Sequence, residues 1–171
     1  FMLGGTEISL DTLWVLSDVA VQSFLTFLAL PIILLFERLY GTLSELRLVE
    51  LSDINKPLLK KLSAETPGTF QHSLQVANLA EYAAETIGAD GLLVKVGALY
   101  HDVGKMNDPQ FFIENQHPGH NPHESLTAKT SAQKIIEHVS LGIKIAKEYR
   151  LPIALQRFIL THHGDSRVEY F

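Results

Sequence analysis

The sequence predicts an all-α fold, and three observations predict it. Apolar residues recur at helical spacing over 71–87 and 130–148, no stretch sustains the strict alternation of a half-buried strand, and residues 19–36 form one uncharged apolar run. A chain of 171 residues can bury a core without staples, and the lack of Cys excludes both a disulfide scaffold and thiolate metal ligands. With 46% apolar and 19% charged residues it is not a disordered chain. Its net charge of −5, from 14 Lys and Arg against 19 Asp and Glu, excludes broad binding to a nucleic-acid polymer, which needs many clustered cations. An anionic ligand must be held locally, by metals or by a few cations.

The first element is the greasy run. Residues 1–36 carry Glu7, Asp11 and Asp18 and no Lys or Arg, whereas 37–61 bring Arg38, Arg47, Lys56, Lys60 and Lys61. Val19–Phe36 is long enough as a helix to cover roughly 27 Å, close to a bilayer core. Gln22, Ser23, Thr26 and a kinking Pro31 are tolerable where neighbouring membrane helices satisfy the backbone. The competing reading is a buried core helix. No basic segment precedes the run, so it is no signal peptide, and the Lys/Arg asymmetry puts its C-terminal end in the cytoplasm. A chain that opens on Phe and keeps one span near its start is expected to be a piece of a larger membrane protein.

Helices follow. In 71–87, Leu74, Ala77, Ala80, Ala84 and Ile87 share a face, with Pro67-Gly68 ahead of the helix and Gly88 after it. Residues 91–105 are apolar enough for a central helix. Three Pro with several Asn and His make 107–124 an irregular loop, 130–148 is helical again, and Pro152 opens a last helix running to His162-His163 before Gly164.

Chemistry concentrates in the eight histidines. His72 falls in the first turn of the 71–87 helix, His101-Asp102 at the end of 91–105, His138 in the middle of 130–148 and His162-His163 at the close of the last helix, while His117, His120 and His123 lie in the loop. Imidazole and carboxylate delivered by four helices suit Zn, Fe, Mn or Ni, and a helical bundle can line a site for two ions. Duller readings stand beside this one: His72 or His138 alone is a satisfied core histidine, a His-Asp pair arises by chance, and one of His162-His163 merely supports the other. Lys105, three residues after Asp102, reaches a phosphate bound at the metals, or only complements the helix dipole.

These residues together carry a resemblance. His72, His101-Asp102, His138 and His162-His163 resemble the HD-domain metal-dependent phosphohydrolases. The strings Thr66–His72 (TPGTFQH), His101–Lys105 (HDVGK), Phe112–Gln116 (FIENQ), Asn121–Glu124 (NPHE) and His162–Gly164 (HHG) resemble one branch, the seven-transmembrane receptors with an intracellular HD domain of PgpH type. The segment Arg47–Lys61 is similar to that branch's connection from the last membrane helix, and Ala128 stands where the branch has a proline. The resemblance implies an HD helical bundle preceded by one transmembrane helix, with 1–18 outside the membrane or at its interface, 19–40 as the last span, 41–65 as a helical linker and 66–171 as the HD domain. It implies cleavage of cyclic di-AMP to linear pApA in bacterial signalling, at the cytoplasmic membrane of a multi-pass protein, with the lipid bilayer and a second copy of the chain as partners. It assigns His72, His101 and Asp102 to one divalent metal, Mn or Fe, with Asp102 bridging to a second held by His138, His162 and His163. Asp102 and Lys105 are then the catalytic pair, and Lys105, Asn121 and His123 the substrate contacts. Members of the branch add a further Asp from a helix downstream of His-His-Gly, which lies beyond Phe171. Without a Gly-Tyr-Pro motif, cyclic di-GMP is disfavoured. A mononucleotide phosphatase and a non-catalytic nucleotide-sensing module are the alternatives.

Overall fold

The structure, a computed structural model, describes residues 9–40, 43–166 and 168. It divides into two units, one ending at Thr42 and one running from Leu43, and the described residues are helical with no strand. Residues 1–8, part of the expected extramembrane segment, lie outside the described residues.

The described residues of the first unit form one helix, α1, Leu10–Tyr40. It begins nine residues before the expected boundary at Val19. The boundary drawn from charge stopped at Asp18, yet a helix propagates through single acidic residues, and here Ser9 caps the start by accepting from Thr12 N at 3.3 Å, with Asp11 in the favourable first turn. Pro31 sits within α1. Leu10–Phe36 is long and apolar enough to cross a membrane, and none of those side chains is buried.

The described residues of the second unit form a bundle of six α-helices. α2 is Glu45–Ser52, capped by Ser44, whose hydroxyl accepts from Arg47 N at 3.2 Å, and α3 is Pro57–Glu65. The expected linker over 41–65 is therefore no separate segment from Leu43 onward. Leu48 and Leu51 of α2 and Leu58, Leu59 and Leu62 of α3 enter the same buried core as Val96, Leu99 and Tyr100, because each helix turns one apolar stripe inward. The Tyr100 hydroxyl donates to the carbonyl of Leu51 at 2.8 Å.

α4 runs Pro67–Thr86, so Pro67 and Gly68 form its first turn instead of preceding it, and His72 falls one turn further in than expected. Ile87, expected on the packed face, is the C-cap and is 81% exposed. α5 is Gly91–Tyr100, capped by Asp90 accepting from Leu93 N at 2.9 Å. It ends five residues short of Lys105, and a 3₁₀ turn, Val103–Asn107, follows. α6, Ala128–Glu148, is capped by Thr127 at Thr130 N, and α7, Ile153–Thr161, follows Pro152 as its N-cap residue. The loop between 107 and 128 holds three short 3₁₀ turns, at Pro109–Phe111, Ile113–Asn115 and Pro122–Ser125.

Gly104, in the 3₁₀ turn after α5, lies against α6. A side-chain carbon there would lie 1.8 Å from the carbonyl oxygen of His138 and 2.6 Å from Gly142 N. Only a residue without Cβ lets the tight turn press onto α6, and that contact brings the end of α5 against the middle of α6.

Candidate metal centre

The close crossing gathers the histidines. Ligand atoms of His72, His101 and Asp102 lie within 4.8 Å of one another, and so do those of His138, His162 and His163. Asp102 joins the two groups. It is 2% exposed, its Oδ2 lies 3.1 Å from His101 Nε2, and its Oδ1 lies 3.4 Å from His138 Nε2 and 3.5 Å from His162 Nε2. That Oδ1 is buried and has no hydrogen-bond partner, an expensive arrangement for an ionised oxygen unless a cation meets it.

The backbone decides which imidazole nitrogen faces the cluster. The Nδ1 of His101 donates to the carbonyl of Ala98 at 2.6 Å, that of His162 to Ile159 at 2.9 Å, and that of His138 to Ile135. A carbonyl only accepts, so each of these nitrogens carries a proton and Nε2 is turned inward. Burial holds the His138 pKa below the ordinary imidazole value, which leaves its Nε2 a lone pair. The Nε2 atoms of His162 and His163 both stand 3.2 Å from it. With its Nδ1 proton given to a backbone carbonyl, the inward Nε2 of His138 is an acceptor that a cation satisfies. The donor set, imidazole nitrogen and carboxylate oxygen brought together from neighbouring helices, thus fits divalent transition ions.

Electrostatics agree. Burial pushes the Asp102 carboxyl up, but the His101 hydrogen bond and the charges of His101 and Lys105 outweigh it and hold it far below the usual carboxylate range. Burial lowers His101 too, and its contact with Asp102 reverses this and raises it. His163 is lowered by burial and by the neighbouring His162 and His138.

Lys105 reaches the cluster although the helix does not continue to it. Its Nζ lies 2.8 Å from Asp102 Oδ2 and 2.8 Å from Glu114 Oε1, and 5.0 Å from the Phe112 ring centre. Phe112 in turn meets His138 edge-on at 5.6 Å. Glu114 accepts from Thr69 Oγ1 at 3.0 Å, while Asn115 accepts from Thr69 N at 3.2 Å and donates to Thr69 Oγ1 at 2.7 Å. Thr69, Phe112, Glu114 and Asn115 were given no role by sequence reasoning. The signal lay in the TPGTFQH and FIENQ strings, whose chemistry shows only when the two segments touch. Asn121 and His123 serve the loop: Asn121 Oδ1 accepts from His123 N at 3.1 Å, and His123 Nε2 donates to the carbonyl of Phe111 at 2.9 Å.

Relatives include the cyclic-di-AMP phosphodiesterase PgpH of Listeria monocytogenes, 44% identical over 97% of this chain and 23% of the relative, and that of Bacillus subtilis, 48% identical over 80% of this chain and 19% of the relative. The chain spans about a fifth of the length of these curated relatives. Among solved structures, the HD domain of L. monocytogenes PgpH in complex with cyclic-di-AMP superposes with a TM-score of 0.66 at 47% identity, covering 68% of this chain and 54% of that one. The HD domain family matches residues 69–169, more than half of the chain, and the chain belongs to that family.

Proposed function

We propose that this chain carries the catalytic unit of a membrane-anchored, metal-dependent phosphodiesterase that cleaves cyclic di-AMP to linear pApA. The observation that carries the reading is the division of Asp102, with one oxygen turned to His101 and the other, unpartnered, turned to His138 and His162. In this reading His72, His101 and Asp102 hold one divalent ion, and Asp102, His138, His162 and His163 hold a second. Manganese or iron bound there supplies an acidified water near neutral pH and a positive field for the charge that builds on a phosphate. The substrate class rests on the relatives, which are cyclic-di-AMP phosphodiesterases, and on the similar HD domain solved with that ligand.

The chain's own residues perform the rest. The carbonyls of Ala98, Ile135 and Ile159 keep Nε2 of three imidazoles aimed inward, so the ligands are arranged before any ion arrives. Lys105, with two of its three donors engaged by Asp102 and Glu114, offers the third to a phosphate oxygen. Phe112 shields the ammonium and His138 from water. His123 and Asn121 hold the loop that precedes and follows this shield, and through it they bear on the substrate. α1 spans the cytoplasmic membrane with its C-terminal end inside, and the unit from Leu43 onward lies in the cytoplasm.

The test is mass-spectrometric identification of products from the manganese-loaded chain given cyclic di-AMP, cyclic di-GMP and AMP. The expected product is pApA from cyclic di-AMP alone. Release of phosphate from AMP with both cyclic dinucleotides intact would replace this reading with a mononucleotide phosphatase.

A further inference from the structure

Glu114 sits one bond network away from the ligands. Its Oε1 accepts from Lys105 Nζ at 2.8 Å and from Thr69 Oγ1 at 3.0 Å, and its carboxyl is held below the usual range, since its contact with Lys105 outweighs burial. The segment carrying it comes so close to α4 that a side-chain carbon on Gly68 would lie 1.9 Å from its carbonyl oxygen. Asn115 fastens the same segment to Thr69 from the next position. Thr69 is fully buried, so the anchor is rigid.

Lys105 needs such a partner. Its side chain is 14% exposed, and among the described residues its other carboxylate contact is Asp102. Asp102 is also the group with an oxygen facing each histidine set, so divalent ions draw on its charge and repel a neighbouring ammonium. A buried ammonium in that position is tolerable only beside a second carboxylate that the ions do not claim. Without one, Lys105 stays on Asp102 and competes with the ions.

We infer that Glu114 is a positioning residue, which holds the Lys105 ammonium beside the cluster through Thr69 and thereby keeps Asp102 available to divalent ions. The inference rests on the proposed phosphodiesterase reading. Glu114 acts through Lys105, not by touching substrate or metal.

The experiment is a double-mutant cycle in the full chain, with manganese(II) as probe. Manganese affinity is measured for wild type, Glu114→Gln, Lys105→Met and the double variant, with melting of the metal-free proteins recorded alongside. Glu114→Gln should weaken manganese binding about tenfold when Lys105 is present and less than about twofold when it is Met. Equal weakening in both backgrounds shows that Glu114 acts by its own charge and overturns the inference, as does no weakening in either. In cyclic di-AMP hydrolysis at saturating manganese, Glu114→Gln should lower kcat about tenfold or more, and the double variant should be no slower than Lys105→Met. Should Glu114→Gln fail to fold, Thr69→Val removes only the hydroxyl that Glu114 accepts from and should weaken manganese binding in the same Lys105-dependent way; unchanged binding in Thr69→Val overturns the inference. Wild type without manganese binding or cyclic di-AMP cleavage would instead refute the phosphodiesterase reading, so the two failures are distinct.

Discussion

The two halves of the cluster offer the same number of ligand groups but are built differently. His138, His162 and His163 come from α6 and the end of α7, and two of the three are tied by Nδ1 to a carbonyl three residues earlier. His72, His101 and Asp102 come from α4 and the end of α5. Asp102 and His101 are buried, but His72 is exposed on the surface of α4, its ring 5.7 Å from that of His101. The lesson is that preorganisation follows backbone proximity. Gly104 lets backbone meet backbone at α6 within the bundle, whereas on the α4 side Gly68 admits the backbone of the Glu114 loop, which Thr69 and Asn115 then fasten to the helix.

Asp102→Ala erases the difference between the halves, since Asp102 is the group that faces both. Each set loses a ligand or a neighbouring anion, so the fall in metal affinity should exceed the roughly 10- to 100-fold typical of losing an outer hydrogen-bond partner, and hydrolysis should become undetectable. Elemental analysis of the purified variant measures it. A variant that keeps two ions per chain would show that the halves do not share this carboxylate.

Gly104→Ala breaks the crossing itself. The added methyl would stand 1.8 Å from the His138 carbonyl oxygen, which is backbone and cannot rotate aside, so the turn must lift from α6. The expected cost is about 1–3 kcal/mol, as for overpacking, read as a drop in Tm of several degrees. Metal affinity should fall with it, because Asp102 and His138 separate. Gly68→Ala applies the same strain to the α4 side and should disturb Lys105 more than His138.

A smaller contrast separates His138→Ala from His72→Ala. His138 is 2% exposed and packed by Phe112, His162 and His163, so its truncation leaves a cavity, whereas His72 is exposed. In metal-free protein His138→Ala should cost about 1–2 kcal/mol and His72→Ala less than about 0.5 kcal/mol. With metal, His72→Ala should retain one ion per chain. Loss of both ions from His72→Ala would mean that the second half cannot hold metal alone.

Much of this was legible in the sequence, for physical reasons that also mark its limits. Helical spacing reports which face a helix buries, so the bundle and its order were readable from residues such as Ala77 and Ala84. Imidazole and carboxylate types announce metal chemistry wherever they cluster, so the ligand candidates were readable too. Helix ends were not. The turn after α5 sets Gly104 against the His138 carbonyl, 34 positions later, and no local propensity encodes that contact. The start of α1 was missed because charge marks where a membrane core ends and not where a helix begins. Glu114 and Thr69 were missed because their partnership, 45 positions apart, exists only in the folded chain.

The finest contrast is in protonation, and it can be read without metal. Burial lowers His138 and, with neighbouring imidazoles, His163, whereas the contact of His101 with Asp102 outweighs its burial and raises it. In metal-free protein the imidazole resonances of His138 and His163 should titrate below the ordinary value near 6.5 and that of His101 above it. The consequences for stability have opposite signs. His101 contributes stability that is complete below about pH 6.5 and fades as pH rises through its folded value, while His138 and His163 contribute stability complete above about pH 6.5 that fades as pH falls through theirs. Lowering the pH from 7 toward 5 should therefore loosen the α6–α7 half first, and Asp102→Asn should bring His101 back toward its ordinary value while leaving His138 low, because burial and not the carboxylate sets His138. NMR titration of the three rings decides it: a common midpoint near 6.5 would show that the two halves do not differ electrostatically, and a His138 that falls markedly further in Asp102→Asn would show that the carboxylate, and not burial alone, sets the second half as well.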